Sequence, residues 1–575
     1  MFGYAGDGID PILAALARAT DHIELVTARH EEMAAFMATG HAKYSGEVGV
    51  CLATQGPGAV HLLTGLYDAK LDRKPVVAVV GQVVSTALGS GYLQEVDLPT
   101  LFKDVCGQYV QTVTAPEQLP LVLDNAIRTA IATSSPTCVI VTHDVQRADL
   151  PDDLPAAHGV VHTGDVVPRS RVLPAETDLA RAAEVLDAGS RVALLVGQGA
   201  AGATREVLEV AERLGAGITT SLLGKPLLDE SLPYHCGVMG HLGTTASADL
   251  MAGCDTLLIV GSSDPWTEFY PTPGQARTVQ IDVAARNIGA KYPVEVGLAG
   301  DSAHTLAALT PMLAPKDGAW RARVEADVRS WHDIAAQRAQ DPAEPLNPQL
   351  VVRTLSDHLP PDAQVSVDVG SVVYWYARHL RLPAGVPAHL SSTLASMGSA
   401  MPYGIAAKLL HPDRPVVALA GDGAMQMNGL AELITVGARW RDWADPRFVV
   451  LVLHNGDLAE VSWEQREMEG DPRFPVSQDV PAFPYAGYAE LLGLRGIRVD
   501  DPAGVDAAWR EAMAADRPCV VEAVVDPRTP LLAPRRPEET VEPMWRGLEQ
   551  EPDGGPAAAQ LRRQRAQEDA APPAG

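Results

Sequence analysis

Short apolar, β-branched runs recur along the chain, and most of them end in a glycine-rich or polar turn. Ile23 to Thr27, Val48 to Ala53, Pro75 to Val80, Val192 to Val196, Val365 to Val367, Val416 to Ala420 and Phe448 to Leu453 have the length and residue type of buried parallel strands. Segments between them carry helical period instead: Glu31 to Tyr44 is one, and Leu430, Leu433, Ile434 and Val436 mark another. Strand, turn and helix in alternation predict an α/β chain built on doubly wound parallel sheets covered on both faces.

Breaks in the pattern divide the chain. Residues 1–151 form a first unit, which opens directly on Gly3-Tyr4-Ala5-Gly6-Asp7-Gly8, a glycine turn with no strand expected before it. From 152 to 176 the chain is rich in Pro, Asp and His without apolar period, which reads as a linker. A second unit, 177–315, holds the turn Gly197-Gln198-Gly199-Ala200 directly after a strand. Residues 316–345 are charged, with Trp320, Val324, Val328 and Trp331 at helical spacing, and predict a bridging helix. The third unit spans 346–527. The tail, 528–575, is rich in Pro, Glu and Ala and is expected to be disordered. Within it Ala557 to Gln567 has Leu561 as its sole large apolar residue, so membrane association is peripheral at most.

Composition narrows the function. With 575 residues, 46% hydrophobic and 20% charged, the chain has ample material for several cores. A net charge of −27 disfavours a nucleic-acid role, which needs basic surface. No apolar stretch reaches the roughly 18 residues of a spanning helix, and no export signal is visible. The six cysteines (51, 106, 138, 236, 254 and 519) lie far apart, mostly inside apolar runs, as small core residues of a cytoplasmic protein do.

The stretch richest in chemistry is Pro415 to Asp457. A strand leads into Gly421-Asp422-Gly423-Ala424, a helix follows, and a second strand ends in His454-Asn455-Gly456-Asp457. A lone carboxylate among free backbone N–H groups suits a diphosphate and its metal. Asp422, the Asn455 amide oxygen and a backbone carbonyl at Asp457 supply three hard oxygens for Mg²⁺. The whole pattern resembles the signature of thiamine-diphosphate (ThDP) enzymes, Gly-Asp-Gly followed by paired asparagines, with His454 in place of the first asparagine.

Further motifs extend the resemblance over nearly all of residues 1–527, to the pyruvate oxidase, pyruvate dehydrogenase (quinone) and acetolactate synthase family. They include the opening glycine turn, Arg29-His30-Glu31, Thr54-Gln55-Gly56-Pro57-Gly58, Gln94-Glu95 with Asp97, and Leu394-Ala395-Ser396-Met397-Gly398. The resemblance implies three domains: pyrimidine-binding, central FAD-type and diphosphate-binding. It makes Glu31 the poorly solvated acid that activates the cofactor, and sets Gln94 beside the substrate. Ala5, Gly6, Gly56, Pro57, Asp368, Gly370, Ser371, Ala395, Met397, Gly421, Gly423 and Ala424 are then ThDP-binding. Leu93, where the family often has Phe, and Trp463, in Val461-Ser462-Trp463-Glu464, border the substrate pocket. In the middle unit Gly197, Gly199, Ala200, Leu222, Gly240, His241, Gly261, Ser262, Asp282 and Asp301 would hold FAD.

The implied activity is decarboxylation of pyruvate or a similar small 2-oxo acid, with oxidation through FAD. Carboligation of two 2-oxo acids is the alternative, and a degenerate non-catalytic paralogue is a third. The resemblance also implies a homodimer or homotetramer with active sites between subunits. It places a helix and a first strand ahead of the opening glycine turn, so a longer form is expected.

Overall fold

The computed structural model describes residues 1–150, 171–571 and 573. The expected linker therefore lies, through residue 170, outside the described residues. Three six-stranded sheets organise the rest, and every strand pairing is parallel.

The first sheet contains β1 (Phe2–Gly3), β2 (Val26–Thr27), β3 (Gly49–Ala53), β4 (Val76–Gln82), β5 (Val110–Val113) and β6 (Pro136–Thr142), in the order β2-β1-β3-β4-β6-β5. The second contains β7 (Val192–Val196), β8 (Gly217–Thr220), β9 (His235–Val238), β10 (Thr256–Val260), β11 (Arg277–Asp282) and β12 (Val296–Ala299), ordered β12-β11-β10-β7-β8-β9. The third contains β13 (Gln364–Val367), β14 (Ala388–His389), β15 (Val416–Gly421), β16 (Phe448–His454), β17 (Arg495–Val499) and β18 (Cys519–Val524), ordered β14-β13-β15-β16-β18-β17. The first and third sheets thus share one topology.

Each sheet winds one way and then the other from its founding strand, so in each the strand order reverses beside that strand. The reversal lies between β1 and β3, between β7 and β10, and between β13 and β15. At such a reversal the loops leave in opposite directions and open a crevice beyond the strand ends.

A strand does precede the opening glycine turn. Phe2 pairs with Val26 and Cys51, and Gly3 with Thr27 and Leu52, so two residues suffice to hold a central place in the sheet. The neighbour expected over Ile23 to Thr27 pairs only at Val26–Thr27.

One apolar core joins the first and third sheets. The helices Glu31–Ser45 and Ala400–Leu410 pack across it, with Phe36 against the Tyr403 ring at 6.1 Å. The helix Ala319–Ala339 buries Trp320, Val324, Val328 and Trp331, the face its periodicity predicts, and seals the middle sheet. All six cysteines are free and buried. Among the described residues no helix is long and apolar enough to cross a membrane.

The tail requires a correction. Helices run over Glu538–Glu549 and Gly554–Asp569 instead of a disordered segment. Leu561 is fully buried. Val541, Met544 and Leu548 join it in the apolar core of the third unit. Ion pairs add to this: Arg338–Glu568 at 2.7 Å, Arg466–Glu551 at 2.7 Å and Arg535–Asp249 at 2.8 Å tie the region to the bridging helix, the third unit and the middle unit. The second of these helices is polar and alanine-rich and has Leu561 as its one large buried apolar residue, so its order leans on partners far away in the chain.

Candidate active site

At the crevice of the third sheet, β15 delivers Asp422 to the start of a helical segment. Its carboxylate is buried; Oδ1 accepts from Gly423 N at 2.9 Å, and Oδ2 from Asn455 N at 3.0 Å and Gly456 N at 2.6 Å. Burial raises its pKa from the ordinary carboxylate value, and the three backbone donors oppose that rise. The Asn455 Oδ1 atom accepts from Asp457 N at 2.9 Å and keeps its second lone pair. The Asp457 carboxylate turns away to Ser462 Oγ at 2.8 Å and Arg473 Nη2 at 2.9 Å, leaving backbone carbonyls as the oxygens offered there. His454, at the signature's first asparagine, faces Glu522 on β18 at 3.0 Å and packs on Tyr485.

Across the same crevice, Asp368 follows β13. Its carboxylate accepts from Val369 N at 2.9 Å, Gly398 N at 2.7 Å and Ala400 N at 3.1 Å. Burial pushes its pKa up to about 6 against those donors. This one carboxylate ties the turn at Gly370-Ser371 to the turn at Ala395-Ser396-Met397. Gly370 has φ +117° and no atom within 4 Å of where a Cβ would stand, which leaves the start of helix Ser371–His379 open. Ala395 has φ +55°, a left-handed conformation rare for alanine and typical of functional sites.

The crevice of the first sheet gathers the remaining candidates. Glu31 opens the helix Glu31–Ser45 and is 8% exposed. Its Oε2 lies 3.0 Å from His61 Nδ1, and the His61 ring lies 4.3 Å from that of His30. Oε1 sits 3.2 Å from where a Cβ on Gly58 would be. Glu32 is half-buried and accepts from Asn428 Nδ2 at 3.4 Å, while Arg29 N donates to Glu432 at 2.7 Å. Gln94 has φ +63° and accepts from Gln55 Nε2 at 3.2 Å. Gly56 closes against it: a Cβ there would stand 2.7 Å from Gln94 Cβ. Gly6 packs against Thr54 in the same way, while Ala5, Pro57 and Leu93 (76%) are exposed.

A cavity of about 760 Å³ runs from the crevice of the middle sheet to the third. Gly199, Leu222, Gly261, Ser262, Asp282 and Asp301 line it, and Val369, Ala395, Glu460 and Glu464 line its other end. Gly197, Ala200, Gly240 and His241 do not reach it. Gly197 backs Gly261, Ala200 is buried behind, and His241 is held by Trp266 and by Glu268 at 3.0 Å, over Gly240. Trp463 is off the cavity as well, 1% exposed, with the Arg466 guanidinium 4.7 Å from its ring. Its helix, Ala459–Met468, turns Glu460 and Glu464 to the cavity instead. Burial, then the neighbouring Glu464, raises Glu460 to about 7. Sequence reading passed over His61, Glu460 and Glu464. Their signal was position alone: four residues past Pro57, and one turn apart just beyond Asn455.

Family models match all three units: thiamine pyrophosphate enzyme, N-terminal TPP binding domain over 1–101, central domain over 179–309, and C-terminal TPP binding domain over 368–523. The chain belongs to the thiamine pyrophosphate enzyme family. Among its relatives, YdaP of Bacillus subtilis is 33% identical over 92% of this chain and 90% of that protein. The pyruvate oxidase of Lactiplantibacillus plantarum is 30% identical over 74% of this chain and 70% of its own. The acetolactate synthase isozyme 2 large subunit of Escherichia coli is 30% identical over 92% of both.

As a ThDP enzyme the chain should offer a diphosphate and divalent-metal seat, and the residues present fit one. Asp422 is a buried carboxylate with, among the described residues, no lysine or arginine bonded to it, and Gly370 starts a helix with room beside it, its backbone N–H held by the Glu460 carboxylate.

Proposed function

We propose that this ThDP enzyme decarboxylates pyruvate or a similar small 2-oxo acid and passes the electrons to FAD. Asp422, Asn455 and the backbone carbonyl at Asp457 would hold Mg²⁺, with Gly370, Ser371, Gly421, Gly423 and Ala424 at the diphosphate. Bound ThDP supplies the carbon nucleophile and the electron sink that loss of CO₂ requires. Glu31 holds and moves a proton at its carboxyl group, Gln94 orients the substrate, and the left-handed turn at Ala395 presents a carbonyl to the cofactor.

The observation that carries the oxidative half is the cavity of about 760 Å³. It is at the large end of the range for small-molecule sites. It joins the strand-order reversal of the middle sheet, the place where α/β folds bind nucleotides, to the thiamine-side turns. Carboligation is the second reading. The acetolactate synthase relative, matched over 92% of both chains, supports it, as does the exposed Leu93 in place of an aromatic wall.

We further propose a homo-oligomer with active sites between subunits. In its support, large apolar side chains are exposed within the motif-bearing stretches: Tyr4, Val60 and Leu93 in the first unit, and Met427 and Val461 in the third. The buried free thiols support a cytoplasmic location.

The deciding assay incubates the protein with pyruvate, ThDP, Mg²⁺ and FAD, with and without an artificial electron acceptor. Oxidation predicts acetate that depends on the acceptor and flavin bleaching in its absence. Acetolactate at equal rates in both tubes overturns it.

A further inference from the structure

We propose that His61 is the proton relay of Glu31, carrying protons between that buried carboxyl group and solvent. This rests on the reading of Glu31 as the activating acid.

A carboxyl group that gives and takes a proton in each turnover must exchange it with water. The Glu31 side chain is only 10% exposed, so its own access is poor. His61 bridges the gap. Its Nδ1 lies 3.0 Å from Glu31 Oε2, and its side chain is 41% exposed. An ionised carboxylate has no proton to donate, so Nδ1 carries the proton of this hydrogen bond and Nε2 keeps the free lone pair. Imidazole is also the side chain that gains and loses a proton near neutral pH.

The neighbours are committed elsewhere. His30 Nδ1 accepts from Glu32 N at 3.2 Å and caps the helix, while its ring lies against the His61 ring at 33°. The Arg29 guanidinium turns to the Thr27 carbonyl at 3.0 Å. His30, Glu31 and His61 are also compact enough to hold a divalent ion, their donor atoms all within 4.8 Å of one another. The capping bond at His30 Nδ1 and the proton that His61 Nδ1 points at the carboxylate favour the relay.

The step balances without a co-reactant. A proton from water adds to His61 Nε2; the Nδ1–H bond breaks as an O–H bond forms at Glu31 Oε2. The imidazole is left neutral in its other tautomer. Returning the proton reverses each transfer. His61 acts through Glu31, as a positioning residue that also conducts its proton.

The test measures hydrogen–deuterium exchange at C2 of bound ThDP by acid quench, in wild type, His61→Asn, His61→Ala and Glu31→Gln. Calorimetry first checks that ThDP still binds. Asn at 61 keeps an N–H facing Oε2 but cannot pass a proton on. Exchange is expected to slow by about 10²-fold in both His61 variants, the scale of a lost proton-transfer group. Added imidazole should restore His61→Ala. Wild-type exchange in His61→Asn overturns the relay and leaves His61 a hydrogen-bond partner only; so does a failure of imidazole to restore His61→Ala. Wild-type exchange in Glu31→Gln is a different failure, and it removes the activating role of Glu31 along with the relay.

Discussion

Glu551 offers the sharpest test of how the C-terminal helices are held. It follows the helix Glu538–Glu549 and meets Arg466, on the helix Ala459–Met468 that leads out of the Asn455–Asp457 loop. The pair is bidentate, Nε to Oε1 at 2.7 Å and Nη2 to Oε2 at 2.9 Å, and Arg473 N donates to the same carboxylate at 2.8 Å. Both side chains are nearly buried, 5% and 7% exposed. Glu551→Ala strands the Arg466 charge over the Trp463 ring with no acceptor in place, a change that costs about 3–5 kcal/mol. At about 1.4 kcal/mol per factor of ten, docking of this region should weaken roughly 10²- to 10⁴-fold. Native-state hydrogen exchange over Gly554–Asp569 reads that directly, as faster exchange in the variant. Replacing both partners together, Arg466→Met with Glu551→Leu, should recover most of the protection, because no buried charge is left unpaired. Arg565→Ala is the control. Its partner Glu538 is two-thirds exposed, so the loss should stay below about 1 kcal/mol. If Glu551→Ala exchanges like wild type, the ion pair does not hold the helices and the account of their order is wrong.

Other substitutions probe the two cofactor halves. Asp422→Ala removes the carboxylate ligand of the proposed metal seat, and calorimetry should show Mg²⁺-dependent ThDP binding abolished; unchanged affinity would move the metal elsewhere. Glu31→Gln should keep the fold and the cofactor while CO₂ release from pyruvate falls about 10²-fold or more. Gly56→Ala drives a Cβ to 2.7 Å from Gln94 Cβ at φ +60°, so it should cost about 1–3 kcal/mol in thermal unfolding and raise KM for the 2-oxo acid by displacing Gln94; a silent substitution would dissociate Gln94 from the pocket.

Much of this molecule was legible in its residue pattern. Val416–Gly421 and Phe448–His454 are continuous apolar runs because a strand covered on both faces must be apolar throughout. The helix Ala319–Ala339 buries the tryptophans and valines that its spacing of three and four predicts. The turns that follow strands were equally readable, since glycines and a lone aspartate mark them locally. What those cues cannot say is which turns meet. Asp422 reaches Gly456 because β15 and β16 are neighbours, and Asp368, at the end of β13, reaches Gly398 ahead of the helix Ala400–Leu410 that leads to β15. Strand order is a long-range outcome of packing. Phe2–Gly3 is too short to carry any period, and only its pairing with strands on both sides defines it. The same holds for His61 beside Glu31, brought together from two elements 30 residues apart. The C-terminal helices are the clearest case. Their local composition argues for disorder, whereas apolar contacts of Val541, Met544, Leu548 and Leu561 with the core of the third unit, and buried charge pairs to Arg338 and Arg466 more than 80 residues upstream, supply the order. Local pattern therefore determined the elements and the turns. The pairing of turns, the proton path and the ordering of the tail waited on the tertiary structure, because each depends on groups that only folding brings within hydrogen-bond distance.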